Sequence, residues 1–246
     1  MPWRENTDPY LVLVSELMLQ QTQVERVIPK FNSFIIRFPD VFSLASASLA
    51  DVLIAWSGLG YNRRAKYLHL AAQKIATDYG GLVPSTQTEL VGLPGIGPNT
   101  AAAVLAYGFN QPVVFVETNI RSVYFYHFFA DATSVNDQAL RQVVQATLDS
   151  AQPRQWYWSL MDYGNDLKQR GAGRITKSAH YKKQSPLKGS LREVRGQIIR
   201  RLTKGDTTEA ELRSELEADG RFVTALANLI RDGLVECSNN QLHLTK

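Results

Sequence analysis

Two local patterns in this chain could do chemistry. The first is an acid in an apolar helix: Glu16 lies among Leu13, Val14, Leu17 and Met18. A carboxyl group drawn out of water keeps its proton to higher pH, which suits a general acid working near neutrality. The alternative is a glutamate on a solvated helix face. The second pattern is Leu93-Pro94-Gly95-Ile96-Gly97-Pro98-Asn99-Thr100-Ala101, two glycines around one apolar residue with a helix start directly behind. Glycine lets a backbone approach an anion closely, and the N–H groups of a helix start point at it. Gly95, Gly97 and Thr100 therefore suit a DNA phosphate. A plain helix–turn–helix connection would use the same glycines only to turn the chain.

Charge points toward a polyanion as well. Between Lys168 and Arg201 there are eleven Lys/Arg against Glu193 alone, while the rest of the chain has 16 basic and 22 acidic residues. Such segregation marks either a nucleic-acid surface or a solvated basic face. At 246 residues and 44% hydrophobic content the chain has enough material for a buried core, which excludes a disordered protein. The single cysteine, Cys237, excludes a disulfide framework, a cysteine zinc site and a four-cysteine iron–sulfur cluster. With no run of about 18 apolar residues and no apolar core in the opening MPWRENTDPY, neither a membrane span nor a signal peptide is expected, and the location expected is cytoplasmic.

The positioning elements read as short helices. Apolar spacing predicts helix from Pro9 to Phe34 with a break at Pro29, then Leu44 to Trp56 and Ala65 to Ile75 around the turn Ser57-Gly58-Leu59-Gly60-Tyr61. Further helices are predicted over Thr86–Val91, Asn99–Tyr107, Asp137–Leu148 and Gln155–Asp166. The stretch from Val113 begins like a strand, yet Asn119 to Phe129 fits a buried helix equally. A boundary falls near Gly189. After it, helices over Ser190–Leu202, Thr207–Ala218 and Phe222–Arg231 precede two short strands around Asn239-Asn240, the order of a winged helix.

Taken together, the anchors resemble the helix-hairpin-helix base-excision glycosylases, the superfamily of endonuclease III, and most closely its MutY-type adenine glycosylases. They are Pro2-Trp3-Arg4, Asp8-Pro9-Tyr10, Val14-Ser15-Glu16-Leu17-Met18-Leu19-Gln20-Gln21-Thr22-Gln23-Val24, Trp56-Ser57-Gly58-Leu59-Gly60-Tyr61, the hairpin, Val116-Glu117-Thr118-Asn119 and Met161-Asp162-Tyr163-Gly164. The resemblance implies an all-α, two-lobed fold over residues 1–167, with DNA in the cleft between the lobes. A basic loop over 168–189 and a winged-helix domain over 190–246 would follow.

Cleaving an N-glycosidic bond builds positive charge on the sugar while the base leaves with negative charge. The target nucleotide must also be flipped out of the duplex. The resemblance makes Glu16 the acid that protonates the base and Glu117 the carboxylate facing the sugar, with Asn119 holding that carboxylate or a water. It implies that Gln21 and Tyr61 enter the base stack, and it places Asn99 in the substrate pocket. The expected partner is double-stranded DNA carrying a mispaired or damaged base, bound by a monomer.

Four departures alter that expectation. Glu117 replaces an aspartate, which moves its carboxylate by one methylene. Asn99 stands where bifunctional relatives carry a lysine nucleophile, so a monofunctional enzyme is expected. The cluster cysteines should begin near Lys168, but Lys168, Arg170, Arg174, Lys177, Lys182 and Lys183 occupy that loop with the lone His180 and with Tyr181. No iron–sulfur cluster or metal is expected, and these cations would contact DNA instead. The family's domain for 8-oxoguanine recognition is replaced by the winged-helix tail. Six acids and one arginine over Asp206–Gly220 suit docking better than base reading, whereas Arg192, Arg195, Arg200 and Arg201 suit phosphates. The reading that follows is excision of adenine opposite 8-oxoguanine or guanine. Removal of uracil or thymine from mispairs, and a catalytically silent DNA-binding regulator, are the alternatives.

Overall fold

The computed structural model of the protein describes residues 1–179 and 185–246. It is built almost wholly of helices: α1 (Pro2–Glu5), α2 (Pro9–Leu19), α3 (Val24–Arg37), α4 (Val41–Ala45), α5 (Leu49–Trp56), α6 (Arg63–Asp78), α7 (Gln87–Val91), α8 (Pro98–Phe109), α9 (Thr118–His127), α10 (Asp137–Thr147) and α11 (Pro153–Gln169). A 3-10 turn at Ile175–Lys177 follows, then α12 (Leu191–Leu202), α13 (Glu209–Glu215), α14 (Phe222–Arg231) and the strands β1 (Val235–Ser238) and β2 (Gln241–Leu244).

Two helices hold the body together. α2 starts on Asp8, whose carboxylate accepts from the N–H groups of Tyr10 and Leu11, with Pro9 preset for the first turn. Its end is tied to the start of α8, where Gln20 Nε2 donates to Thr100 Oγ1 at 3.2 Å. At the other end of the pair, a methyl on Gly108 would lie 3.2 Å from Pro9 Cα. The two helices are thus antiparallel and closely packed. On one side lie α3 to α6, centred on the buried Phe34 and Trp56; on the other lie α9 to α11, centred on the buried Phe115, Tyr124 and Tyr157. α1 bridges the two sides: Trp3 meets Phe31 edge-on at 5.2 Å, and Arg4 pairs both guanidinium nitrogens with Asp162.

The elements differ from the periodicity reading at four places. α3 runs through Pro29, because burial of Val27, Phe31 and Phe34 outweighs the one lost backbone bond; the break falls at Gln20–Gln23 instead. The expected Leu44–Trp56 helix is two, since Ser48 takes the N–H of Asp51 and starts α5 afresh. Pro112 to Val116 forms no strand, opening instead on a tight turn in which Val113 N–H donates to Gln111 O, and the buried-helix alternative holds for α9. The Thr207–Ala218 helix shortens to α13, set by the reciprocal Thr208–Glu211 capping box.

After Gly189, α12 and α14 pack on each other through the buried Val194, Ile198, Ile199, Leu202, Phe222, Ala225 and Leu229. β1 pairs antiparallel with β2 across Asn239 and Asn240, both at positive φ (50° and 62°), the conformation a two-residue turn requires. This C-terminal unit rests on the body, where Lys66 Nζ donates to the carbonyls of Asp232 (2.6 Å) and Gly233 (3.3 Å) at the end of α14.

Candidate active site

Glu16 stands on α2 between Leu13, Val14, Leu17 and Met18, each at most 1% exposed, and is itself partly accessible. Burial and, second, the charge of Glu117 hold its carboxyl well above the ordinary 4.5. Glu117 immediately precedes α9 as its N-cap residue, with extended backbone, and burial raises its carboxyl too. Among the described residues no donor of the protein stabilises either charge. Loss of water around each acid, and for Glu16 the neighbouring charge of Glu117, make ionisation less favourable, so both carboxyls are displaced upward, Glu16 the more strongly.

The backbone carrying Glu117 is fixed from three directions. Asn99, in the first turn of α8, donates its amide to Val116 O at 3.3 Å and accepts from Arg141 Nη2 at 3.0 Å. Arg141 also donates to Val114 O at 3.2 Å. Gly164 of α11 is in contact with the Asn119 backbone in the first turn of α9. Asn99 is thus a tether of the Glu117 segment, and its amide group is already engaged by protein. Tyr107, on α8, sends a buried hydroxyl into the same region with no hydrogen-bond partner among the described residues; burial and the charges of Glu117 and Glu16 push it well above its usual range.

The glycine hairpin is exposed around a buried Ile96 and Leu93. Gly95 takes φ 75°, and a methyl there would lie 2.5 Å from Tyr67 Cβ; Gly97 has open space and begins α8 without any side-chain cap. The N-terminal turn of α8 therefore faces outward, as an anion site requires.

Gln21 and Tyr61 are both exposed, and both adopt the left-handed conformation at φ 55° and 48°. One buried residue organises them. Arg64 donates to Leu17 O, Met18 O and Gln20 O at the end of α2, to Thr22 Oγ1, and to Leu59 O and Gly60 O. Burial pulls its guanidinium down to about 10. Sequence reasoning passed over Arg64 because an arginine in a basic helix start reads as surface. The available signal was its four-residue spacing from Leu68 on the apolar face.

The basic loop is only partly free for a ligand. Lys168 and Arg170 are exposed, with Arg170 paired to Asp166. Arg174 donates to Ala130 O and lies over Tyr126, while Lys177 donates to Phe129 O and Ala130 O. A bridge between Val135 and Ser178 continues that attachment. Lys182, Lys183, His180 and Tyr181 lie outside the described residues. In the C-terminal unit Arg195 pairs with Asp232 and Arg201 with Glu215, and Arg192 donates to Tyr61 Oη.

Residues 14–146 match the model of a family described as HhH-GPD superfamily base excision DNA repair protein. A curated protein of Buchnera aphidicola subsp. Baizongia pistaciae, named adenine DNA glycosylase, is 36% identical over 153 residues, 62% of this chain and 43% of that protein. Its namesake in Mycobacterium tuberculosis strain H37Rv is 48% identical over 124 residues, 50% of this chain and 41% of that protein. This chain spans less than half the length of these relatives. Among solved structures, a thermostable thymine-DNA glycosylase superposes with a TM-score of 0.61 at 26% identity, covering 67% of this chain and 77% of the other. A non-covalent endonuclease III–DNA complex superposes at 0.51 and 20% identity, covering 73% and 78%, a likeness of fold. Among the described residues no helix is long and apolar enough to cross a membrane, and no group of three acidic, histidine or cysteine side chains could hold a metal.

Proposed function

This chain belongs to the HhH-GPD superfamily of base excision DNA repair proteins, and from that premise we propose that it is a monofunctional DNA glycosylase removing adenine mispaired with 8-oxoguanine or guanine. The observation carrying this reading is the pair of desolvated carboxyls, Glu16 on α2 and Glu117 at the start of α9, with the charge of Glu117 raising Glu16 further; we assign the proton to Glu16 and the carboxylate to Glu117. Glu16 gives its proton to the leaving base as the N–C1′ bond breaks. Glu117 stabilises the positive sugar and takes a proton from the water whose oxygen joins C1′. Asn119 steadies this carboxylate or the water. Asn99 offers no amine, so no Schiff base forms and the strand is not nicked.

DNA would be gripped by the Gly95–Thr100 hairpin and by the exposed cations of the 168–189 loop, with Gln21 and Tyr61 entering the stack vacated by the flipped nucleotide. A four-cysteine cluster does not fit this chain: its one cysteine, Cys237, is exposed on β1. Arg174 and Lys177 hold the loop by hydrogen bonds to 129–130 carbonyls. We read the C-terminal unit as a winged helix docked on the body.

The test is a set of duplexes carrying A, U or T in mispairs, incubated with the protein and then cleaved with alkali. Strand breaks from A opposite 8-oxoguanine or G, absent before alkali and absent with Glu16→Gln, are expected. Products only from T or U opposite G would favour the second reading, which the likeness to a thymine-DNA glycosylase motivates. No product with retained binding would mean a silent regulator.

A further inference from the structure

Among the described residues before Gly189, Gln21, Tyr61, Asn110 and Arg174 are the non-glycine residues at positive φ, and two of them, Gln21 and Tyr61, share one organising side chain. Gln21 and Tyr61 hold left-handed conformations that L residues adopt only where surrounding structure enforces them, a condition that recurs at working surfaces. The enforcing group for both segments is Arg64, whose guanidinium carbon also lies 5.5 Å from the centre of the Tyr61 ring.

A second guanidinium reaches that ring from the C-terminal unit. Arg192, in the first turn of α12, places its guanidinium carbon 5.6 Å from the ring centre while donating to Tyr61 Oη. Its other nitrogen donates to Ser185 O at 2.6 Å. The ring's face and its hydroxyl are thus both engaged by one planar fork, a geometry lysine cannot reproduce. Arg192 does not carry the attachment of the unit by itself, because Lys66 binds the end of α14 and contacts join α5 to β2.

We propose that Arg192 is a positioning residue for Tyr61, and that the C-terminal unit thereby forms part of the surface meeting a DNA duplex at a flipped nucleotide. The proposal rests on the glycosylase reading above. A tyrosine fixed before contact loses less rotational freedom on stacking against a base than a mobile one, so the gain appears in affinity for a gapped stack. A simple phosphate contact by Arg192 would instead act regardless of Tyr61.

The decisive experiment measures affinity for a duplex holding a tetrahydrofuran abasic analogue opposite guanine, which needs no excision. Arg192→Ala and Arg192→Lys should each weaken binding, the alanine variant about tenfold. In a Tyr61→Ala background the Arg192→Ala change should cost nothing further. Equal losses in both backgrounds, or no loss in either, would overturn the assignment. A 3-fluorotyrosine label at position 61, read by 19F NMR without DNA, should shift in Arg192→Ala; an unmoved resonance would overturn it independently. If native protein shows the fluorine shift yet does not prefer the abasic duplex over an undamaged one, the glycosylase reading fails and the role at DNA falls with it.

Discussion

A methyl group placed on Gly164 would sit 2.2 Å from the carbonyl oxygen of Asn119 and 2.6 Å from its carbonyl carbon. α11 therefore seats the first turn of α9 directly on backbone, and that turn carries both Glu117 and Asn119. Gly164→Ala must push it away. An overpacked contact costs about 1–3 kcal/mol, and a displacement near 1 Å at reacting groups costs about 10²-fold in rate. Single-turnover excision and a thermal melt on the same preparation measure both; native rates in the alanine variant would show that the turn does not position the chemistry.

Glu16 sets a pH dependence with a definite sign. Its folded carboxyl titrates above the ordinary 4.5, so it is the protonated form that the fold favours. Excision should fall as pH rises through that raised value. Stability should be unpenalised below the ordinary value and decline as pH climbs to the folded one. Glu16→Gln removes the titration. It should abolish excision, keep DNA affinity, and raise Tm relative to native protein at pH 8 while changing it little near pH 4. Equal melting differences at both pH values would contradict the burial argument.

Glu117 tests whether this site is built around the longer acid. Its backbone is held by Asn99, Arg141 and Gly164, so a shortened side chain has little freedom to compensate. Glu117→Asp should lower the excision rate about 10²-fold, by misplacement alone. Glu117→Gln should lower it at least as far, since the charge facing the sugar is gone. An aspartate variant faster than native protein would show that the site tolerates, and does not require, glutamate.

Arg64 is a costly side chain to remove because it supplies buried carbonyls with their donor. Its truncation to leucine would strand the carbonyls of Leu17 and Met18 at the end of α2 and of Leu59 in the turn before α6, while Gln20 O keeps Thr22 Oγ1 and Gly60 O keeps Trp56 Nε1. A loss of about 3 kcal/mol or more is expected, because each buried acceptor left without a donor bears its own desolvation cost. Chemical denaturation should record it. A variant of native stability would show that water replaces the guanidinium at those carbonyls.

Tyr107→Phe should do the opposite. The hydroxyl lost is buried and has no partner among the described residues, so its removal should raise stability by up to about 1–3 kcal/mol. A lower Tm in Tyr107→Phe would show that the O–H is satisfied in solution.

Much of this site was legible where the signal is local. Glu16 amid leucines and valines, the glycine spacing of residues 95–97 and the tail's three-helix, two-strand order all lie within one or two turns of chain. The boundaries that eluded periodicity were set by side chains: Ser48 restarting a helix, and the apolar face of α3 outweighing Pro29. Asn99 reads in sequence as a pocket residue; what the sequence does not report is that its amide also holds Val116 and Arg141, partners 17 and 42 residues away. The contact between Arg192 and Tyr61 spans 131 residues, and no propensity or motif reports such a pairing.

Lys66 lends its ammonium group to the last carbonyls of α14, so a helix in one half of the molecule is capped by a cation from the other. The two halves therefore share a helix cap. A protein cut at Gly189 would leave one fragment with a bare helix terminus and the other with a lysine aimed at nothing. Calorimetry of the intact chain should accordingly show one cooperative melting transition; two separated transitions would show that the halves unfold independently.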